Sequence, residues 1–251
     1  MSRVRRIRAE AVAAARSFLR RRTAVFFTFF FPVILVVIFG ALVRTQPTGG
    51  GLFAEPAGYY LPGYIGVVVL FTPLSRVGSE IARHRDGNRF EKLATTPLTR
   101  VEWLLAHTLV NVAIIGLASV LVFGLVLLVT DAAVRVTAAL PAVAAFVVVG
   151  VAAFCGVGAA LGSLADTQDG VIAASNTVAL PILFLSETFV PPSLLPEWFL
   201  PAVAASPLTY FARGVRAITY DGGPWLGDLA VLSAIAVLTL AVGSRLLPRT
   251  D

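Results

Sequence analysis

Long apolar runs separated by short polar islands dominate the chain. Runs at about 24–43, 59–82, 101–130, 138–165, 171–190 and 225–247 approach or exceed the roughly 20 residues that carry a helix across about 30 Å of hydrocarbon. Ahead of them, residues 2–22 set Val4, Ile7, Ala11, Ala14 and Phe18 at helical spacing among eight arginines. This predicts an amphipathic helix suited to lying on an anionic leaflet. A signal peptide is the rival reading, but the next apolar run is too long for a signal core and no small-residue cleavage site ends it. Between the fifth and sixth runs, residues 191–224 hold too many prolines for one straight span and too many apolar side chains for a solvated loop. Short re-entrant or interfacial helices resolve that conflict, with Trp198, Tyr210 and Phe211 at headgroup depth. The pattern therefore predicts an all-α polytopic membrane protein: one transmembrane domain over 1–251, with six spans, an N-terminal interfacial helix and re-entrant helices before the last span.

Composition supports this reading, with 57% hydrophobic and 14% charged residues and a mean hydropathy of +0.86, too apolar for an ordinary soluble domain. The net charge of +6 could indicate nucleic acid, yet the basic residues flank apolar runs and lie on no soluble domain. Six spans put both termini on one side. With that side cytoplasmic, sixteen of the 20 Lys and Arg fall inside, and only Arg44, Arg135, Arg213 and Arg216 fall outside, which orients the chain by the positive-inside rule. The expected location is the cell membrane, multi-pass, with both termini cytoplasmic.

Several chemistries are excluded. A phosphate-binding Walker loop ends in Gly-Lys-Ser/Thr, and the only lysine is Lys92, between Glu91 and Leu93. Any ATP-driven work therefore needs another chain. Cys155 is alone and sits in an apolar run, so neither a disulfide within the chain nor a cysteine metal site can form. His84 and His107 lack cysteines or paired carboxylates at ligand spacing and are expected to be solvated or interfacial. No metal, no catalytic residue and no cofactor is expected in this chain.

Polar residues within the runs are the remaining candidates. Glu187, near the outer end of the fifth run, either faces a water-filled pathway, where it would attract a cationic substrate, or sits hydrated at the interface. Ser175 and Asn176 precede it by about three turns and either share its face or act as interhelical hydrogen-bond glue. Arg76 and Glu80 are four apart and are expected to form a structural ion pair. Gly158 and Gly162 make a small-xxx-small face for close helix packing, and Pro73 and Pro181 are expected to kink the second and fifth spans. The charged island at 83–100 reads as a short amphipathic helix. Phe90 and Leu93 are its apolar knob, and Arg85, Arg89 and Lys92 offer charge to an acidic partner. Thr96-Pro97 ends it, because a residue before proline disfavours helical geometry.

Residues 89–100, RFEKLATTPLTR, resemble the E-x-L-x-x-TP-[LV]-[ST]-R signature of ABC-2 type transporter permeases. The segment from Phe184 through Pro191, Leu195 to Trp198 and Ser206 to Tyr210 resembles the same family, and the size and lack of appended domains look most like its drug and antibiotic or lipid-linked glycan exporters. The resemblance implies a permease pairing with a second permease, identical or paralogous, in contact with membrane lipid and without nucleic acid. It implies docking on a cytoplasmic ATPase that binds ATP and Mg. Arg85, Arg89, Phe90, Glu91, Lys92, Leu93, Thr96 and Pro97 would then form the coupling helix, beside the interfacial helix. Substrate, amphipathic and drug-like or lipid-linked, would cross along the first, second and fifth spans. Glu187 stands where the family commonly has glycine. The alternatives are a self-sufficient secondary carrier or channel, which lacks here a chain of buried acids and paired broken helices, and a membrane enzyme, for which no catalytic set exists.

Overall fold

In the computed structural model, which describes residues 2–42, 55–190 and 195–248, every regular element is helical. Helix α1 (Arg3–Arg20) is followed by α2 (Arg22–Leu35), which continues as a π-helical stretch over Val36–Leu42. A 3-10 turn at Ala57–Tyr60 leads into α3 (Leu61–Asp86), and the short α4 (Arg89–Ala94) connects it to α5 (Arg100–Val129). Then come α6 (Ala142–Leu164) and α7 (Gln168–Leu185). A 3-10 turn (Glu197–Phe199), α8 (Leu200–Ala205), α9 (Pro207–Arg216) and a π-helical turn (Ala217–Asp221) precede α10 (Leu226–Leu246). Among the described residues, five helices are long and apolar enough to cross a membrane: 22–40, 57–86, 100–129, 142–164 and 226–246.

The boundaries follow local chemistry. The second run continues as helix beyond 82 into the charged island, as far as Asp86, where Gly87 and the left-handed Asn88 (φ 51°) turn the chain; asparagine tolerates that conformation better than most residues. The fourth run starts later than predicted, at Ala142 behind the turn that holds Pro141. The fifth ends early, at Leu185. There Ser186 is extended and the Thr188 hydroxyl donates to the Leu183 carbonyl at 2.8 Å, taking up an acceptor that a longer helix would have used itself. Residues 191–194 of the proline-rich region lie outside the described residues; the remainder forms the predicted short, proline-interrupted helices. Phe211 departs from the sequence expectation, being fully buried against Phe146 rather than interfacial, whereas Trp198 is 79% exposed.

Helix α3 is the axis of the bundle. Of its apolar window 78% is buried, against 11% for α2. It packs on α6 through the predicted glycine face. A methyl group on Gly158 would lie 2.5 Å from the Leu74 carbonyl oxygen, and one on Gly162 would lie 2.5 Å from that of Gly78. Backbone thus meets backbone, a contact only glycine permits. The next face of α6 does the same with α10, where a methyl on Gly156 would strike the main chain at Thr239 and Leu240. The Thr239 hydroxyl seals this contact by donating to the Ala153 carbonyl at 3.0 Å.

The same substitution at two glycines should therefore give opposite results. Gly158→Ala should lower stability by roughly 1–3 kcal/mol through overpacking. Gly124→Ala, on α5 with open space around it, should be neutral or stabilise by roughly 0.5–1 kcal/mol. Thermal unfolding of the solubilised chain measures both.

Candidate functional site

The charged island forms a small platform at the arginine-rich end of the bundle. Helix α4 spans Arg89–Ala94, and the Thr95 and Thr96 hydroxyls donate to the carbonyls of Lys92 (2.8 Å) and Leu93 (2.7 Å) as it ends before Pro97. One side is anchored inward. Phe90 is 5% exposed and lies with its ring 5.5 Å from that of His84 and 5.7 Å from that of Trp103. The predicted apolar knob is thus divided: Phe90 is a root in the bundle, and Leu93 is half-buried against the same core. What faces outward is Arg89, Glu91, Lys92, Thr96 and Pro97, all exposed.

Arg85 also has an internal task. Its guanidinium donates to the carbonyl of Ala165, the residue capping the C-terminus of α6, where cations are favoured. Arg100 does the same for α10, donating to the Leu247 carbonyl at 3.1 Å. The end of α3 and the start of α5, which flank the platform, are therefore tied to the ends of α6 and α10.

Helix α1 is joined to this platform through Glu102. The Glu102 amide is held by the Thr99 hydroxyl at 3.3 Å and its carboxylate accepts the Thr99 amide at 3.2 Å, a capping box that starts α5. The same carboxylate takes both arms of Arg6, at 2.8 and 2.5 Å. This hydrogen-bonded pair raises the Arg6 guanidinium above its ordinary range. One turn on, Glu10 meets His107 Nε2 at 3.3 Å. His107 stacks on Trp103, ring centres 3.9 Å apart, and His84 lies 6.2 Å away. Both histidines are buried, at 5% and 7% exposure, rather than solvated: Glu10 of α1 lies on His107, and Phe90 and Trp103 pack on His84. Glu102, Arg6 and Glu10 were not singled out in the sequence, although Thr99-x-x-Glu102 before an apolar run was a readable capping signal.

Arg76 and Glu80 take separate partners instead of forming the expected ion pair. Glu80 is held by Arg83, and by Arg21 at 3.5 Å. Burial lowers the Arg21 guanidinium, with Glu80 acting in the opposite direction. Arg76 turns to the Asn111 side-chain oxygen at 3.3 Å and over the Phe18 ring at 4.3 Å. These groups border a cleft of about 410 Å³ between α1, α2, α3 and α7, which Asn176 also lines.

The three tentative pathway residues are not brought together. Ser175 is buried, and its hydroxyl has no hydrogen-bond partner among the described residues. Its neighbour Asn176 is exposed. Glu187 lies beyond the end of α7, is 4% exposed, and is gripped by Arg213, whose Nε donates at 2.7 Å. Arg216 binds the Glu187 carbonyl at 2.5 Å and the Tyr59 carbonyl at 3.3 Å, with its guanidinium 3.8 Å over the Tyr59 ring. The acid is thus part of a lock between the end of α7, the start of α3 and α9. Its partners come from distant segments and carry no sequence signal of their own. No group of three or more His, Cys, Asp or Glu side chains among the described residues could hold a metal.

Because Glu102 serves both α5 and α1, Glu102→Gln should preserve the capping geometry yet release Arg6. Amide exchange should quicken severalfold over residues 3–20 with that of α6 unchanged, as hydrogen-exchange mass spectrometry would show; equal exchange in α1 would contradict the junction.

A family model described as ABC-2 type transporter matches residues 6–220. The chain is also 28% identical to a daunorubicin resistance ABC transporter permease protein of Streptomyces coeruleorubidus, across 96% of this chain and 87% of the relative. The long apolar helices and the family match agree: this chain belongs to the ABC-2 type transporter family and is a multi-pass membrane subunit of an ABC transporter.

Proposed function

We propose that the chain is the membrane half of an exporter driven by ATP hydrolysed in a separate cytoplasmic chain, with α4 as the element that receives the motor's movement. The observation carrying this reading is the division of α4. Phe90 roots it among His84 and Trp103, while Arg89, Glu91 and Lys92 stand exposed. A push on the outer side reaches α3 and α5 directly, since α4 follows one and precedes the other, and reaches α6 through Arg85. The single lysine and absent Walker loop leave ATP and Mg to the partner.

In this reading α7 crosses the membrane as a sixth span, and α8 and α9 are re-entrant helices on the far side. The arginine-rich end and both termini are cytoplasmic, in the cell membrane. Two such permeases, identical or paralogous, would complete the pathway. Cargo would be amphipathic, drug-like or lipid-linked. The name of the daunorubicin resistance relative favours a drug-like molecule. Ser175, buried on α7, and Asn176, exposed beside it, are assigned separately: Asn176 to the cleft, Ser175 to helix packing.

Glu91→Ala or Leu93→Asp should leave the protein in the membrane but uncouple ATP hydrolysis from export. Transport should fall about tenfold or more, a change equivalent to about 1.4 kcal/mol, while ATPase turnover by the complex persists. Export at the normal rate by both variants would refute the assignment of α4.

A further inference from the structure

Arg76 is half-buried in a helix long and apolar enough to cross a membrane, and among the described residues it forms no salt bridge, feeling the charge of Glu80 only beyond that distance. Its described partners, the Asn111 side-chain oxygen and the Phe18 ring, are both neutral. Glu80, one turn along α3, is already shared by Arg83 and Arg21. Among the described residues no other carboxylate lines the cleft, so three guanidinium groups face one acid. Arg83 Nε is also buried without a hydrogen-bond partner among the described residues. Charge at this depth is costly and calls for a counter-ion.

The walls of the cleft indicate what kind of anion completes it. Thr72, Ser75 and Ser79 bring hydroxyls to its α3 side. Its α2 side is Phe27 and Phe31, which are 58% and 46% exposed. They continue onto the outer surface of α2, where Phe26 and Phe30 stack with ring centres 4.5 Å apart. A basic pocket shares Arg21 with the cleft and is lined also by Arg16, Arg20 and Arg89, with no carboxylate. Positive charge and hydroxyls at one wall, with an aromatic wall leading out toward lipid, match an anionic head joined to a hydrocarbon chain. A free inorganic anion would leave the aromatic wall unused.

We propose that this cleft binds an anionic phospholipid of the surrounding bilayer, its phosphate held by Arg76, Arg21 and Arg83 and an acyl chain lying along Phe27 and Phe31. The assignment rests on the reading above only in that α2 and α3 cross the bilayer; it needs no ATP coupling. The lipid supplies the charge that Glu80 cannot, and it joins α2, the least buried span, to α3.

The test is native mass spectrometry of the full chain released from micelles containing equimolar phosphatidylglycerol and phosphatidylcholine. Phosphatidylglycerol should be retained at least about fivefold over phosphatidylcholine, as expected for roughly one paired arginine. Arg76→Gln should abolish the preference and Arg76→Lys should keep most of it, with helical content checked by circular dichroism. If Arg76→Gln does not fold, Arg21→Gln, at the exposed mouth, should weaken the preference by itself. Equal retention of the two lipids would overturn the proposal, as would an unchanged preference in the folded arginine-to-glutamine variants. Loss of the preference to excess inorganic phosphate would also overturn it, by showing that the chain contributes nothing. Lipid retention is read without ATPase or cargo, so failure here leaves the transport reading standing, and failure of the α4 variants leaves this result standing.

Discussion

The close approach of α6 to α3 is the constraint on which the rest of the bundle depends. Lipid tails offer apolar side chains as good a surround as a neighbouring helix does, so association in a bilayer relies on packing and polar contacts. Gly158 and Gly162 let the two backbones meet at Leu74 and Gly78, and Gly156 lets α10 approach the next face of α6. With these helices set, the ends of α3 are fixed as well. One end meets Arg216 through Tyr59, and the other carries Glu80, Arg83 and the turn into α4.

Charge is distributed around this core with few loose ends. Glu102 is spent on its helix cap and on Arg6. Glu187 is spent on Arg213, and Arg85 and Arg100 on the carbonyls that end α6 and α10. Apart from the local helix cap, each contact joins elements distant in sequence, so polar groups serve here as connectors between helices. Against that background two places stand out. The outer side of α4 is charged and turned away from the bundle, and Arg76 makes its hydrogen bond and ring contact with neutral groups and forms no salt bridge among the described residues. The first fits a protein partner and the second an anion.

What could be read from the sequence was whatever depends on periodicity. The helical spacing of Val4, Ile7, Ala11, Ala14 and Phe18 among the arginines indicated α1, and the apolar runs indicated the long helices. The TP dipeptide placed the end of α4 near Thr96. Pairing across elements was not legible. Arg213 lies far along the chain from Glu187, and only the fold brings them together. The same holds for Arg76, whose natural partner by spacing was Glu80; Arg83 and Arg21 occupy that carboxylate instead. Phe90 illustrates a third limit. On a helix of 6 residues no periodicity tells an outward knob from an inward root, and the decision came from Trp103, on the next helix. The histidines looked polar and solvated because the residues that cover them belong to α1, α4 and α5.

If α4 is the socket for a separate ATPase, photo-cross-linking should capture that contact without knowledge of the cargo. A photoreactive amino acid placed at Lys92, on the outer side of α4, and at Leu128, exposed near the other end of α5, should give contrasting results in cells that also make the cognate ATPase. A covalent adduct with the ATPase is expected from position 92 and none from position 128. An ATPase that co-purifies with the chain yet cannot be captured from position 92 would contradict that role of α4.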